Sequence, residues 1–392
     1  MNIVLIGTVY PYKTALSHYV GMLYRQLKKK NQVKLYSYSM WYPKSMYKKE
    51  QRDYADDTLK IEEAEYVLNT ANPFSWIKMA RRINREHADL LILQWQHPYF
   101  TPCYYVISKL LKRTKLLYIC HNSLPHERFL GDRILTRIAL KQADYMIFHA
   151  KSDERIIREM LPEIKSAINP HPTYNFFKVT GISREEARND LKIGQNGKIL
   201  LFFGLVREYK GLKYLLQAMP EISRTFDDLR LFIVGDFETR ENMHTYTSMI
   251  EELRIERYVE IRDGFVPIPE AEKYFAACDM VTLPYISATQ SGVIQVAYGF
   301  DKPVLATNVG GLPDVVDHMK TGYVVEPENA RAIAEAVMDF FRNGRSEEFK
   351  EHVREQEYRF SWERMEETID RLVEPEMSES SLGFKDYAEK VI

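Results

Sequence analysis

The chain alternates short apolar runs, rich in β-forming residues, with amphipathic stretches along almost its whole length. This alternation is typical of strand–helix–strand units, which build parallel sheets covered by helices. Strands are predicted in the first half at 2–6, 33–38, 90–94, 116–120 and 145–149. They are predicted in the second half at 199–203, 229–234, 259–262, 280–283 and 303–306. Helices are predicted between them, among others at 14–29, 133–142, 212–219 and 330–342, so the pattern indicates two consecutive α/β sheets.

A length of 392 residues also favours two domains, because one hydrophobic core rarely serves more than about 250–300 residues. We expect an N-terminal domain at 1–180 and a C-terminal domain at 181–355. A helix over 356–373 is predicted to cross back to the N-terminal domain, and 374–392 is predicted to be an acidic tail. Ligands of open parallel sheets bind beyond the carboxyl ends of the strands, so two facing domains of this kind predict an active site in the cleft between them.

Charge divides unevenly between the two halves. Residues 1–180 contain about 28 Lys and Arg against 16 Asp and Glu, although the whole chain has 54 and 55. This basic half suits contact with an anionic lipid surface or an anionic acceptor, while ordinary solvated helix faces would account for each basic cluster alone. Nucleic acid is not an expected partner, because the basic runs lack interleaved aromatic residues.

The chain shows neither a signal peptide nor an apolar run of about 18 residues that would span a bilayer. Its three cysteines, Cys103, Cys120 and Cys278, are widely spaced in apolar contexts, which is typical of buried thiols and not of disulfides or a zinc site. We therefore expect a cytoplasmic protein, with peripheral contact at the inner face of the membrane as a further expectation. No metal site is predicted.

The strongest local motif is a buried strand, 199–203, that runs into Gly204 and then Arg207 and Lys210, just before a predicted helix. A glycine turn with two cations beside a helix N-terminus forms a positive pocket rich in N–H donors, which suits a diphosphate. Arginine grips phosphate oxygens in pairs, and lysine adds a point charge. The alternative from spacing alone is a turn with two solvent-facing cations.

A second motif follows the strand at 280–283. Ser291, Gly292 and Val293 are expected to open a helix whose free N–H groups point at a phosphate, with Gln290 and Gln295 nearby. A small-residue turn before a buried helix would look the same.

Histidines mark the ends of two strands in the first half. His121 directly follows the strand at 116–120, and His126 and Arg128 lie in the same loop. A neutral imidazole at a strand end is able to polarise or deprotonate a hydroxyl, so His121 is a candidate catalytic residue. Trp95 and His97 follow another strand and suit stacking on a sugar ring. The alternatives are a structural histidine at 121 and a tryptophan that anchors the domain interface.

These motifs together resemble a known family. The run Gly204, Arg207, Lys210 and Gly211 resembles the G-x-x-R-x-x-K-G element of the retaining GT-B glycosyltransferases of family 4, the group 1 glycosyl transferases. The segments 301–314 and 321–327 resemble that family's G-x-P-V-x-x-x-x-x-G-G-x-x-E and x-G-x-L-V-x-P segments. The similarity covers nearly the whole chain and implies an α/β fold of two facing Rossmann-like domains.

The resemblance also implies a reaction and its residues. A sugar would pass, with retention and without a metal or other cofactor, from a UDP- or GDP-sugar to a hydroxyl of a glycan or lipid-linked acceptor. The implied catalytic residues are His121, Arg207 and Lys210. The implied donor-binding residues are Gly204, Asp263, Gly264, Phe265, Val266, Thr289, Gln290, Ser291, Gly292, Val293 and Gln295, and the implied acceptor-binding residues are Lys13, Thr14, His18, Trp95, His97, His126 and Arg128.

Two departures from the family pattern are informative. The family commonly has two glutamates eight positions apart before the K-P-V segment, and here Ala288 and Val296 stand in their places. Thr14 and Ala15 replace a usual glycine pair, so their Cβ atoms hinder close approach of the backbone to a donor. The missing carboxylates motivate an alternative function, a non-catalytic sugar-nucleotide-binding partner subunit. A sugar-nucleotide epimerase shares the same architecture and is a further alternative.

Overall fold

The computed structural model describes residues 1–47, 50–54, 60–125, 128–237 and 239–373. The chain divides into two compact units. Unit 1 consists of Met1–Asn169 and the chain from Trp362 onward, and unit 2 is Pro170–Ser361. Each unit is built around its own parallel sheet, as the alternating sequence pattern predicts.

Seven strands form the sheet of unit 1 in the described part of the chain: β1 (Asn2–Ile6), β2 (Gln32–Met40), β3 (Glu65–Asn69), β4 (Leu90–Trp95), β5 (Lys115–Cys120), β6 (Tyr145–Phe148) and β7 (Lys165–Ile168). Their spatial order is β3-β2-β1-β4-β5-β6-β7, and every pairing is parallel. The order reverses between β1 and β4. In open sheets of this kind, ligands bind where the order reverses.

Helices cover both faces of this sheet: α1 (Ala15–Leu27), α2 (Pro73–Arg85), α3 (Thr101–Lys109), α4 (Asp132–Leu140) and α5 (Lys151–Met160). Helices α2, α3 and α4 contribute to one apolar core, and α1 contributes to the core on the opposite face. Both cores include many buried strand residues, as expected for parallel sheets that are covered on both sides.

Six strands form the sheet of unit 2, again among the described residues: β8 (Lys198–Phe203), β9 (Leu229–Gly235), β10 (Val259–Asp263), β11 (Met280–Leu283), β12 (Val304–Thr307) and β13 (Gly322–Val325). The order is β10-β9-β8-β11-β12-β13, all parallel. This is the strand order of a dinucleotide-binding Rossmann domain, and it reverses between β8 and β11.

The helices of unit 2 are α6 (Arg184–Asp190), α7 (Leu212–Thr225), α8 (Arg240–Glu252), α9 (Ile268–Ala277), α10 (Gly292–Gly299), α11 (Ala330–Arg342) and α12 (Ser346–Glu355). A single 3-10 turn, Glu208–Lys210, precedes α7. Ser183 caps α6 through a reciprocal capping box with Glu186.

The last described helix, α13 (Trp362–Val373), returns to unit 1. It packs on α1, where the side-chain amide of Gln26 donates a 2.7 Å hydrogen bond to the buried Glu366 carboxylate. The Trp362 ring contacts Tyr19 edge to face, with 5.1 Å between the centroids. The predicted helix that crosses back to the N-terminal domain is therefore present, and 374–392 lie outside the described residues.

The units divide between Asn169 and Pro170, eleven residues before the boundary that the sequence suggested. The difference has a packing cause. The aromatic stretch after Pro170 belongs to the core of unit 2: Tyr174 is buried there and its N–H donates to the carbonyl of Gln295. Thr173 likewise donates to the carbonyl of Phe360, so this stretch is part of unit 2 and not a linker.

Two sequence expectations concern burial. Cys103, Cys120 and Cys278 are buried and form no disulfide, as expected from their apolar contexts. Burial raises the pKa of all three thiols, that of Cys278 to about 12.

Within the described residues, no helix combines the length and the apolar composition that a bilayer span requires.

Candidate functional site

The candidate site in unit 2 begins at the end of β8. Gly204 adopts φ +102° and donates its N–H to the carbonyl of Val234 at 2.9 Å. A Cβ at this position would lie 3.1 Å from the ammonium nitrogen of Lys210. The Lys210 side chain therefore folds back over the turn at the strand end, and glycine leaves room for it.

Lys210 is buried, with only 8% of its surface exposed. Burial, assisted by the nearby charge of Arg207, lowers the pKa of the ammonium group from 10.5 to about 8. No carboxylate contributes to that pKa, and within the described residues the ammonium group has neither an ion-pair partner nor a hydrogen bond. Buried charges in proteins are normally paired, so an ammonium group without a partner in the described structure marks a candidate site for an anion.

Arg207 lies at the start of the 3-10 turn that carries Lys210, and its side chain is exposed. Its charge acts on Lys210, so the two predicted cations belong to one electrostatic site. The alternative of two solvent-facing cations is wrong for Lys210. The two cations therefore differ in burial: Lys210 is buried within the turn, and Arg207 is exposed to solvent.

The loop after β11 lies against the same turn. A Cβ at Gly204 would lie 3.9 Å from the Val293 side chain, in the first turn of α10. Ser291 occupies the N-cap of α10 but provides no side-chain cap, because its hydroxyl is 3.2 Å from the Tyr285 hydroxyl instead. The N-terminus of α10, with its outward N–H groups, is therefore directed to the region of Gly204 and Lys210.

Three contacts tie the two loops together. The ammonium nitrogen of Lys210 lies 5.5 Å from the Tyr285 ring centroid. Ile286 donates its N–H to the carbonyl of Tyr209 at 2.7 Å. Gly211 has φ +66°, and a Cβ there would lie 1.9 Å from the carbonyl oxygen of Pro284. The loops after β8 and β11 are consequently packed against each other at the point where the strand order reverses.

The predicted polar residues of the β11–α10 loop differ in burial. Gln290 is half-buried, and its amide nitrogen has no partner among the described groups. The backbone carbonyl of Thr289 accepts a 2.8 Å hydrogen bond from Gly311. Gln295 is 1% exposed and lies on the inward side of α10, so the expectation that it contacts a donor is wrong. Its helical position turns the side chain into the core.

The segment Asp263–Val266 lies at the end of the edge strand β10. The Asp263 carboxylate accepts a 3.2 Å hydrogen bond from the N–H of Phe237, and Gly264 donates to the carbonyl of Gly235 at 3.2 Å. Phe265 is 77% exposed, and Val266 packs on the core of unit 2. Asp263 thus fixes the loop after β9, and Phe265 offers an exposed aromatic ring beside it.

In unit 1, His121 directly follows β5. Its N–H donates to the Trp95 carbonyl at 2.8 Å, and its Nε2 is 2.7 Å from the side-chain oxygen of Gln94. The ring of Tyr19 contacts it edge to face, with 4.7 Å between centroids. With Nε2–H donating to Gln94, these contacts orient the imidazole at the carboxyl end of the sheet.

The other predicted acceptor-binding residues at the carboxyl ends of β4 and β5 differ in their surroundings. Trp95 is fully buried in the core, so its predicted stacking on a sugar is wrong, because side chains of a fully covered strand point into the layers. His97 caps a 3-10 turn by accepting from the Tyr99 N–H at 3.0 Å, and burial lowers its pKa. Arg128 pairs with Asp132, Nη2 to Oδ1 at 3.0 Å. His126 lies outside the described residues.

The loop between β1 and α1 carries the remaining predicted acceptor residues. Lys13 forms a 3.3 Å ion pair with Asp53. The Thr14 hydroxyl caps α1 by accepting from the N–H of Leu16, which gives its side chain a structural task. His18 lies partly buried in the first turn of α1.

Sequence reasoning missed Tyr285. It stands two residues after β11, and its ring faces the Lys210 ammonium group while its hydroxyl meets Ser291. The available signal was an aromatic residue at the carboxyl end of a strand next to the point where the order reverses.

Comparison with known proteins agrees with this geometry. Residues 197–343 match a family model described as Glycosyl transferases group 1, a span that runs from β8 to α11. The D-inositol 3-phosphate glycosyltransferase of Corynebacterium glutamicum is 29% identical over 186 residues, which are 45% of this chain and 43% of that protein. The chain spans about half the length of the first curated relatives it matches.

Solved structures resemble the chain over nearly its full length. The sucrose-phosphate synthase of Thermosynechococcus elongatus has a TM-score of 0.74 at 17% identity, covering 97% of this chain and 100% of that one. The Anabaena protein HepE, solved in complex with UDP, has a TM-score of 0.72 at 15% identity with the same coverage. This likeness concerns the fold. Residues 197–343 are therefore similar to a group 1 glycosyl transferase domain, and the chain has the GT-B fold of two Rossmann-like domains.

Proposed function

We propose that this protein is a glycosyltransferase that uses a nucleotide-diphosphate sugar, UDP- or GDP-linked, as its donor. The observation that carries the proposal is the buried Lys210 ammonium group, which has no counterion among the described residues and lies at the glycine turn after β8, beside the first turn of α10. A diphosphate supplies the missing negative charge and accepts from the helix N–H groups. HepE, which has the same fold, was solved with UDP and with UDP-glucose, and this supports the choice of ligand.

Lys210 and Arg207 would stabilise the charge that develops on the diphosphate as the sugar leaves. Preorganised cations at a leaving group act most strongly in a dry setting, and the burial of Lys210 supports such a role. Because two protein cations neutralise the diphosphate, we propose that transfer requires no metal ion. The reaction would retain the anomeric configuration, with the donor phosphate taking the proton of the acceptor hydroxyl, as the family resemblance implies.

Neutral groups would replace the family's usual glutamates. Val296 is buried in the core of unit 2, so the position of the second glutamate offers no ligand contact. The amide nitrogen of Gln290, half-buried and without a partner in the described structure, supports a role as a donor to a sugar or ribose hydroxyl. We expect Gln290→Ala to weaken binding of the nucleotide-sugar.

His121 and the acceptor complete the proposal. The oriented imidazole of His121 is proposed to act on the sugar that is transferred, and the acceptor is proposed to be a hydroxyl of a glycan or of a lipid-linked saccharide. The basic composition of the N-terminal half supports an anionic acceptor.

A transfer assay tests the proposal. The full chain is incubated with UDP-, GDP- and ADP-sugars, with and without a panel of glycan and lipid-linked acceptors, and nucleotide release is measured in the presence of a chelator. We expect acceptor-dependent release and a product with the donor's anomeric configuration. Arg207→Ala and Lys210→Ala should each lower turnover at least about a hundredfold, as for loss of one preorganised charge.

The matched control is Lys213→Ala, which removes an exposed lysine from the first turn of α7. It should leave turnover unchanged. Wild-type turnover in both Arg207→Ala and Lys210→Ala would refute the diphosphate site. Tight binding of a nucleotide-sugar without release, across all acceptors, would instead favour the non-catalytic binding subunit that the absent glutamates suggest.

A further inference from the structure

The outward face of α4 exposes large apolar side chains. Leu130, just before the helix, is fully exposed, Ile134 is 66% exposed and Ile138 is 41% exposed. Ile134 and Ile138 lie about one helical turn apart and therefore on one side of α4, and Leu130 lies in the turn that leads into the helix. The opposite side of α4 is the one that packs: Thr136 and Leu140 are fully buried against the unit.

This arrangement is unusual for a surface helix. The outward stripe of such a helix is normally polar, and contiguous exposed apolar residues mark an interaction surface. Transfer of exposed isoleucine and leucine side chains out of water lowers the free energy. Nothing in the described structure covers these three side chains. The apolar stripe of Leu130, Ile134 and Ile138 is therefore a candidate interaction surface.

Cations accompany the apolar stripe. Arg133 and Arg137 directly precede Ile134 and Ile138, Lys141 follows four residues after Arg137, and all three cations are exposed. Arg133 reaches Glu159 at 3.3 Å, whereas Arg137 and Lys141 have no ion-pair partner among the described carboxylates. The outward face of α4 is thus both apolar and positive.

The positive character extends over the neighbouring helices. Helices α2, α3 and α4 lie on the same side of the sheet and together carry seven Lys and Arg residues but one acidic residue, Asp132, which is buried and paired with Arg128. Exposed Tyr105 and Leu110 belong to α3 and its end. A broad cationic layer therefore surrounds the apolar stripe.

We propose that the α4 face docks on the surface of an anionic lipid bilayer. Isoleucine and leucine would enter the boundary between headgroups and acyl chains, while the flanking arginines and Lys141 meet lipid phosphates. A second copy of the chain fits this face poorly, because two such surfaces would bring arginines against arginines. The proposal stands apart from the transfer reaction, since it depends only on the exposed surface of unit 1.

Vesicle binding of the full chain tests this surface. Binding is measured by co-sedimentation with phosphatidylcholine vesicles, with and without phosphatidylglycerol, at low and high salt. We expect binding that requires phosphatidylglycerol and weakens with salt. Leu130→Ser/Ile134→Ser/Ile138→Ser should lower the partition coefficient at least about tenfold, because three apolar side chains lose their burial in lipid.

A second variant removes charge and keeps the apolar residues. Arg133→Gln/Arg137→Gln should lower binding by about tenfold, since each cation near an anionic surface contributes several-fold. Arg224→Gln/Arg331→Gln, which removes two exposed cations from unit 2, is the matched control and should bind as the wild type does. The substituted side chains are exposed, so thermal melting should show that all variants fold.

Three outcomes would overturn the proposal. The wild type fails to bind phosphatidylglycerol vesicles at low salt, or both α4 variants bind as strongly as the control. The third is a wild type that forms a dimer which the serine variant abolishes, because the stripe would then serve a second copy of the chain.

Discussion

The ammonium nitrogen of Lys210 lies 5.5 Å from the centroid of the Tyr285 ring. Lys210 follows β8 and Tyr285 follows β11, the two strands between which the strand order of unit 2 reverses. A cation–π contact in a largely desolvated setting is worth roughly 1–2 kcal/mol, and it leaves the positive charge uncompensated. The contact thus helps to hold the cation in place before any anion binds.

Loss of this cation should weaken binding of the nucleotide. We expect Lys210→Met to raise the Kd for UDP by about tenfold to a hundredfold, the usual range for one charge-assisted hydrogen bond to a phosphate. Isothermal titration calorimetry measures the Kd directly. Lys213→Met, which changes an exposed lysine three residues later, is the control and should leave the Kd unaltered. Equal Kd values for the wild type and both variants would remove Lys210 from the diphosphate site.

Affinity for UDP should depend on pH through the same side chain. Burial, with the nearby Arg207, lowers the pKa of Lys210 to about 8, so the ligand-free protein loses this proton above pH 8. A bound diphosphate favours the charged form, so binding takes up a proton in that range. The Kd for UDP is therefore expected to rise by up to about tenfold per pH unit above pH 8.

Two observations check the pH argument. Lys210→Arg keeps its charge, so its Kd should stay flat where the wild-type Kd rises. For the ligand-free protein the sign is opposite: between pH 8 and 10.5 the unfolded chain holds more protons than the folded one, and stability rises with pH. A wild-type Kd that is constant from pH 7 to pH 10 would contradict the lowered pKa of Lys210.

We expect substitution of Gly211 to destabilise the protein for two reasons, its positive φ and the close approach of another backbone segment. Its φ of +66° strains any other residue by about 1–2 kcal/mol, and a Cβ would in addition lie 1.9 Å from the carbonyl oxygen of Pro284. Gly344 has a similar φ of +59° and open space around it. Gly344→Ala should therefore cost only the strain, whereas Gly211→Ala should cost at least about 2 kcal/mol more.

Chemical denaturation of the two alanine variants measures this difference. Because Gly211 joins the β8 and β11 loops, Gly211→Ala should also weaken UDP binding, whereas Gly344→Ala should not. Equal losses of stability in the two variants would mean that the loops move apart at little cost.

The sequence predicted the main strands and the glycine turn after β8 because their signals are local. The apolar run at 199–203 coincides with β8, and Gly204 must follow because the turn needs a positive φ. Three of the four edge strands, β3, β7 and β13, gave no such signal, whereas the edge strand β10 was predicted. Strand β7 reads Lys-Ser-Ala-Ile, pairs on one side only, and has no fully buried residue.

The sequence did not predict which side of a strand or a helix is buried at every site residue. Trp95 at the end of β4 and Gln295 in α10 both point into a core, although each stands beside predicted site residues. Conversely, the buried Lys210 contacts the ring of Tyr285, which lies about 75 residues further along the chain. Such long-range packing decides which member of a motif faces a ligand.

His149 should make unit 1 sensitive to acid. It is buried beside Tyr19 and His121, its Nδ1–H donates to the carbonyl of Asn169 at 2.8 Å, and burial lowers its pKa to about 4. Between pH 6.5 and pH 4 the unfolded chain therefore binds a proton that the folded unit does not. Stability is expected to fall across this range by up to roughly 3 kcal/mol.

Tryptophan fluorescence measures this fall selectively, because all four tryptophans, Trp41, Trp76, Trp95 and Trp362, belong to unit 1. Urea titrations from pH 7 to pH 4 would give the free energy of unfolding at each pH. His149→Phe should flatten the dependence, since phenylalanine takes up no proton in either state. His244→Phe, at an exposed position of α8, should keep the wild-type slope. If His149→Phe and the wild type lose stability in parallel, groups other than His149 bind the protons. The pKa of His149 would then be the same in the folded unit as in the unfolded chain, which would contradict the prediction.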